Sequence, residues 1–351
     1  MTSIPAEPVQ GVDQDGLKMP VIDFSKFRTG YPAQREEIAK QIYEAFKNSG
    51  FLYLKNHGIP KEQVHTVFTH SAKFFERPSA EKDELAWTTA RSNRGYVASG
   101  REKVTQSENA EEIAKLRASN PDLKESMEIG KEGVEGMPNQ WPDRFGDEDG
   151  LSFTKTMKQF FLTCSDLHKN VMRAISIGMG LDEGFFDEYT AGFDNNLRLL
   201  HYPPVKKSVF KDNPTQVRAG EHSDYGSITL LFQDNVGGLE VKSPKGTWVR
   251  ATPIPDTIVI NAGDLLSRWS NDLIQSTKHR VIQPPPREGE MADVEQPDSM
   301  FSARYSVAFF CNPSFDKTIE ALPGTFENTA AKKYPAVKSG DYIEMRLAAT
   351  Y

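Results

Sequence analysis

His222, Asp224 and His279 are the side chains of this sequence whose types and spacing could hold a reactive metal ion. The first two lie two apart in His222-Ser223-Asp224. The second histidine follows the aspartate by 55 residues, within Thr277-Lys278-His279-Arg280-Val281. Two imidazoles and one carboxylate bind iron(II) on one face and leave the opposite face open, where dioxygen and a co-substrate can enter. On an extended segment, residues two apart point to the same side, so His222 and Asp224 can both reach one ion. His279 would then come from a distant strand.

Composition bounds the scaffold that must bring them together. A chain of 351 residues, 38% of them hydrophobic, allows one large domain or two small ones and a sizeable core. The net charge of −7 argues against an extended nucleic-acid footprint. Two cysteines, Cys164 and Cys311, make no disulfide framework and suit a reducing compartment. No apolar run approaches the roughly 18 residues of a membrane span. Met1–Lys18 lacks the basic start and apolar stretch of a secretory signal, so a cytoplasmic location is expected.

Residues 1–18 read as a polar, poorly ordered arm, followed by a short strand at Pro20–Phe24. Helical spacing of apolar residues predicts helices over Ala33–Ser49, Glu62–Phe75 and Leu151–Met179, with a strand at Phe51–Leu54 between the first two. Residues 86–150, rich in charge, glycine and proline, read as loops and short pieces. After Asn195 the texture changes to short apolar runs punctuated by turns: Leu197–Tyr202, Ser227–Phe232, Leu239–Val241, Trp248–Ala251, Thr257–Ile260, Gln275–Ile282 and Arg304–Phe310. Closely spaced strands of this kind indicate a sandwich or barrel. The expected class is α+β with a mainly β core, a double-sheet jelly roll with the N-terminal helices packed outside. A helical and mixed region over 19–190 and a jelly-roll core with a C-terminal helix over 191–351 would form one catalytic unit. Gln283–Ser302, Pro-rich and acidic, reads as a surface insertion.

Four segments around the three ligands carry a family likeness: Gly220–Ser227, Asn261–Asp264, His279–Val281 and Arg304–Ser306. Pro20–Phe24, Gly50–Pro60 (GFLYLKNHGIP) and Phe74-Phe75 extend it into the N-terminal half. With these, the chain resembles the isopenicillin N synthase-like branch of the 2-oxoglutarate/iron(II) oxygenases. Asn93–Tyr96, Gly100–Gln106, Leu197–Pro203, Arg218–Asp234, Arg268–Asp272 and Leu347–Tyr351 strengthen it toward the fungal thymine 7-hydroxylases within that family.

The resemblance implies Fe(II) on His222, Asp224 and His279, which make a metal-centred catalytic site. 2-Oxoglutarate would be the co-substrate and O2 the oxidant, with ascorbate as a supporting reductant. It implies oxidation of an unactivated C–H bond of a small molecule, with release of succinate and CO2. The co-substrate's far carboxylate would meet Arg304 and Ser306, which alternate onto one strand face; a guanidinium matches a carboxylate with two parallel hydrogen bonds. Tyr202 takes the position of a co-substrate donor, but the asparagine often found two residues earlier is Leu200 here. The 25 residues from His279 to Arg304 exceed the family's usual gap, an excess assigned to the insertion.

For the substrate, the resemblance points to Arg198, Tyr225 and Phe310, with Asn93 and Tyr96 as added contacts. A planar pyrimidine base would stack on Phe310 and exchange hydrogen bonds with Arg198 and Tyr225. An arginine among Leu197, Leu199 and Leu200 would be costly to bury unpaired without a function. Other readings stay open at this level. One is a fungal secondary-metabolite oxygenase acting on an amino acid-like metabolite by hydroxylation, desaturation or ring closure. The others are an iron oxidase without 2-oxoglutarate and a non-catalytic jelly-roll binding protein.

Overall fold

The central strands of the molecule carry apolar side chains on both faces, and they need partners on both sides. The computed structural model describes residues 11–102, 121–284 and 299–350. In chain order the strands of the first half are β1 (Val12–Gln14), β2 (Leu17–Met19), β3 (Val21–Asp23), β4 (Phe51–Lys55), β5 (Gly95–Val97) and β6 (Glu125–Gly130). Then come β7 (Asn196–Tyr202), β8 (Val205–Lys206), β9 (Ala219–His222), β10 (Ile228–Gln233), β11 (Leu239–Lys242) and β12 (Trp248–Arg250). They are followed by β13 (Thr257–Ala262), β14 (His279–Val281), β15 (Met300–Phe301) and β16 (Arg304–Cys311).

An eight-stranded sheet runs β3-β4-β13-β10-β16-β7-β6-β5, antiparallel except for the parallel β3–β4 pair. A four-stranded antiparallel sheet, β12-β11-β14-β9, faces it. This is the expected double-sheet roll. The larger sheet draws four of its strands from the first half of the chain, so the two halves share one sheet.

Period-two alternation sorts the side chains. Phe51 and Tyr53 of β4 and Leu200 and Tyr202 of β7 point between the sheets, where they pack with Leu239, Val241, Val259 and Val281. Leu52, Leu54, Leu197, Leu199 and Phe309 point outward onto the helices Pro32–Asn48, Lys61–Phe75 and Glu148–Gly178. The long helix starts where Asp147 accepts from the Gly150 N–H at 2.7 Å. The helix Pro32–Asn48 stops before Gly50, whose φ of 71° only glycine holds without strain. A Cβ there would also meet the Gln275 carbonyl oxygen at 2.1 Å.

Three expectations change. Residues 11–19 are not an unstructured arm: β1 and β2 form a hairpin, and Leu17 and Met19 are fully buried. The region 86–150 holds a six-residue strand, β6, buried along its whole length between β5 and β7. The predicted run Gln275–Ile282 is a strand only over His279–Val281. The remaining 1–10, the 103–106 end of the Gly100–Gln106 stretch, 285–298 of the insertion and Tyr351 lie outside the described residues. The end of the insertion is tied down, because β15 pairs with β8.

Candidate active site

The two histidines meet because their strands pair. His222 at the end of β9 is the direct cross-strand partner of His279 at the start of β14, and their ring centroids are 4.3 Å apart. Asp224 lies two residues beyond, past the end of β9, so the extended segment assumed from spacing stops short of it. Its Oδ1 is 3.8 Å from Nε2 of His222 and 3.7 Å from Nε2 of His279. Ligand atoms of all three residues lie within 4.8 Å of one another.

Hydrogen bonds aim these atoms. His222 Nδ1 donates to the Gly220 carbonyl at 2.8 Å and His279 Nδ1 to the Thr277 carbonyl at 3.2 Å. A carbonyl can only accept, so each Nδ1 carries the proton and each Nε2 presents a lone pair. Asp224 Oδ2 accepts from Thr229 Oγ1 at 2.5 Å and Asn261 Nδ2 at 2.7 Å, which leaves Oδ1 toward the imidazoles. Burial, then the neighbouring His279, pushes His222 down to about 3, so its imidazole is neutral. Burial would raise Asp224, but the adjacent His279 and His222 and the two hydrogen bonds bring it below the usual carboxylate range. Two lone pairs and a carboxylate oxygen facing one point suit a divalent cation.

A cavity runs from these ligands along the inner face of the large sheet to Arg304, Ser306 and Tyr202. Arg304 and Ser306 are both 1% exposed, and Arg304 Nη1 donates to Ser306 Oγ at 3.1 Å. Tyr202 is the cross-strand partner of Arg304, and the guanidinium lies 4.8 Å from its ring centroid. Arg304 Nε has no partner, and among the described residues no carboxylate pairs with this buried guanidinium. A second cavity, which shares Arg198, His222, Asp224 and Phe310 with the first, is lined by all four residues expected to contact substrate: Asn93, Arg198, Tyr225 and Phe310. Tyr96 is elsewhere: its hydroxyl bonds the Glu125 carboxylate.

The second cavity also holds what sequence reasoning missed. Arg198 is not unpaired. Its Nη1 donates to Glu102 Oε1 at 3.2 Å, its Nε lies 2.6 Å from Glu128 Oε1, and its guanidinium covers the Phe310 ring at 5.1 Å. Glu128 is its cross-strand partner on β6. Lys124 pairs with the other Glu102 oxygen. Burial opposes ionisation of Glu102, but Lys124 and Arg198 outweigh it and hold the carboxyl at about 2. Glu128 goes the other way, raised by burial and by Glu102 against the pull of Arg198. Tyr225 exchanges a hydrogen bond with Thr350 Oγ1 at 2.8 Å, and Asn93 Oδ1 accepts from Trp87 Nε1 at 3.0 Å. Ile343, Leu347 and Thr350, from the last helix Ser339–Thr350, close one wall.

His168, His201, Glu221 and Asp234 have partners of their own. His168 is buried against Ser227, and His201 bonds Glu125 and stacks on Tyr305. Glu221 pairs with Lys242 and Lys278, and Asp234 accepts the Tyr305 N–H. Both cysteines are free and buried.

Residues 193–313 match the 2OG-Fe(II) oxygenase superfamily, and residues 19–144 match the N-terminal family of non-haem dioxygenases described from morphine synthesis. A 2-oxoglutarate-Fe(II) type oxidoreductase of Metarhizium rileyi is 32% identical over 94% of this chain and 90% of its own. The chain belongs to the 2-oxoglutarate/Fe(II) oxygenases. A 2-oxoglutarate-dependent dioxygenase of Dothideomycetidae sp. is 34% identical over 88% of this chain and 89% of its own. The crystal structure of full-length Neurospora crassa thymine 7-hydroxylase with α-ketoglutarate and thymine superposes with a TM-score of 0.87. It is 53% identical, with 97% of this chain and 99% of that one covered.

As a member of this family the chain is an enzyme that uses Fe(II), 2-oxoglutarate and O2 to oxidise a small molecule. Its residues fit those groups. Three donor atoms converge on one point, and among the described residues no carboxylate pairs with the buried guanidinium at the end of the adjoining cavity. No helix among the described residues is long and apolar enough to cross a membrane.

Proposed function

We propose that this oxygenase hydroxylates the methyl group of a thymine-type pyrimidine base. His222, Asp224 and His279 hold the iron, and Arg304, Ser306 and Tyr202 hold the far carboxylate of 2-oxoglutarate. Bound there, iron and keto acid supply the oxidation of a C–H bond by O2, with succinate and CO2 leaving. The chain's own side chains fix the geometry. The Nδ1 bonds to Gly220 and Thr277 orient the imidazoles, and Thr229 and Asn261 hold Asp224 to one coordinating oxygen. Phe310 gives the base an aromatic surface, and Arg198, Tyr225 and Asn93 surround its polar edge.

One observation carries the choice of substrate class: Arg198 is already held between Glu102 and Glu128. A guanidinium has five donors, so a neutral carbonyl can still share it, and the Glu102 carboxylate can accept a ring N–H. A substrate carboxylate, as on a free amino acid, would have to compete with those two buried acids for the same cation. The likeness to thymine 7-hydroxylase supports the same choice.

The test is product mass spectrometry after anaerobic loading with iron(II) and 2-oxoglutarate and exposure to air. Thymine, 5-hydroxymethyluracil, uracil and amino acids would be offered separately. The expected result is one added oxygen on thymine, one succinate per product, and no turnover in His222→Ala or Asp224→Ala, both still folded. Succinate formation driven by an amino acid and not by thymine would replace this proposal with the metabolite-oxygenase alternative.

A further inference from the structure

Arg218 is a second buried arginine at the Arg304 end of the roll, and it is 0% exposed. It immediately precedes Ala219, which lines the co-substrate cavity. Its main chain is pinned on both sides: the N–H donates to the Val281 carbonyl at 2.8 Å, and the carbonyl accepts from Leu123 at 3.0 Å. Its Nη2 donates to the carbonyl of Ser302, two residues before Arg304, at 3.2 Å. Nε and Nη1 have no partner, and among the described residues no carboxylate forms an ion pair with it. Asp234 acts on it only from beyond ion-pair distance, with its oxygens taken by the N–H groups of Tyr305 and Val236. Burial, then the charge of Arg304, lowers Arg218 to about 10.

Two buried guanidiniums thus lie within electrostatic reach of each other, and among the described residues neither forms an ion pair with a carboxylate. A buried charge that lacks a partner is strongly destabilising, and a second like charge adds to the penalty. The anion that this end of the roll receives is the far carboxylate of the co-substrate, on the assignment of Arg304 made above.

We infer that Arg218 is a second cation for that carboxylate, a positioning residue that raises the positive potential around Arg304 and is compensated when a dicarboxylate binds. Arg218 has no contact with the ligand in this role. It strengthens the grip of Arg304 through its field and through its bond to Ser302.

The experiment uses the full chain loaded anaerobically with manganese(II) and compares Arg218→Gln, which can keep the Ser302 bond, with Arg218→Met. Calorimetry gives the dissociation constant for 2-oxoglutarate, and for pyruvate as a keto acid without the far carboxylate. Melting curves without ligand are taken in parallel. Loss of the charge should weaken 2-oxoglutarate by about tenfold or more, as truncation of a buried charge partner does. Pyruvate binding should be unchanged, and the melting temperature without ligand should hold or rise. Unchanged 2-oxoglutarate affinity in Arg218→Gln, with a fall in melting temperature, would overturn the inference and make Arg218 structural. Arg304→Met separates the two ideas. If it too leaves 2-oxoglutarate affinity intact, the co-substrate assignment fails; if it weakens binding and Arg218→Gln does not, only the role of Arg218 fails.

Discussion

Asp224 divides its two oxygens between the protein and the metal position, and that division depends on Asn261. Oδ2 takes hydrogen bonds from Asn261 and Thr229, and both donors are almost fully buried. Asn261→Ala removes one of them and lets the carboxylate turn. Iron affinity should fall by about 10–100-fold, the usual effect of losing a bond that orients a ligand. A metal titration followed by the charge-transfer band of the iron–2-oxoglutarate complex would measure it; an unchanged midpoint would show that Thr229 suffices. That His222, Asp224 and His279 come together was legible in the sequence because their types are rare together and the flanking segments are distinctive. Asn261 stood inside a quoted segment without a reason, and the structure supplies one. Glu102 and Glu128 were not legible at all, because an acid in a charged, glycine-rich stretch reads as a solvated loop. What buries Glu128 is its register opposite Arg198, and register is not written in one strand's sequence.

The elements that carry the site are short, and backbone contacts keep them in place. The Gly263 N–H donates to Ser227 and the Asp264 N–H to the carbonyl of Asp224, so this turn backs the loop that holds the aspartate. A Cβ on Gly263 would meet the Gly226 carbonyl oxygen at 2.4 Å, and backbone cannot step aside as a side chain can. Gly263→Ala should therefore destabilise by about 1–3 kcal/mol, as overpacking does, and reduce iron binding with it. A melting temperature equal to wild type would mean that the loop relaxes freely. The last helix is fastened by Arg346, whose Nη1 bonds Asp264 Oδ2 at 2.6 Å while its guanidinium covers Tyr225. Arg346→Ala should loosen the wall made by Ile343, Leu347 and Thr350. KM for substrate should rise about three- to tenfold with KM for 2-oxoglutarate little changed, the pattern of lost substrate binding. Equal increases in both would place the damage at the metal. Elements with clean alternation, such as β7 and β16, could be read from sequence; β9 and β6 could not, since charged residues interrupt their apolar pattern.

At the scale of the whole molecule, helices and the larger sheet bury titratable groups far from the site, and these tie stability to pH. His57 lies beside the start of the helix Lys61–Phe75, its ring edge-on to Phe232, with Arg28 and Asp256 as the charged groups acting on it. Burial, then the positive charge of Arg28, lowers it to about 4. A histidine lowered in the fold binds its proton more tightly when unfolded, so its contribution is intact at neutral pH. It is lost as pH falls from the unfolded value near 6.5 toward about 4. At pH ~5 the loss is about 2 kcal/mol, from roughly 1.5 pH units at about 1.4 kcal/mol each. Other groups titrate as well. Glu128, raised in the fold, gains stability as pH falls, and His168, held near 3 by burial, loses it. The total slope therefore mixes signs, and the difference between two proteins isolates one group. His57→Asn keeps a polar side chain near the Ile59 N–H that now bonds His57 Nδ1 but has nothing to protonate. Between pH ~7.5 and ~5 the wild type should lose about 2 kcal/mol more than the variant, roughly 3 °C of melting temperature. Parallel melting curves for the two proteins across that range would show that His57 is solvated and carries its charge in the folded state.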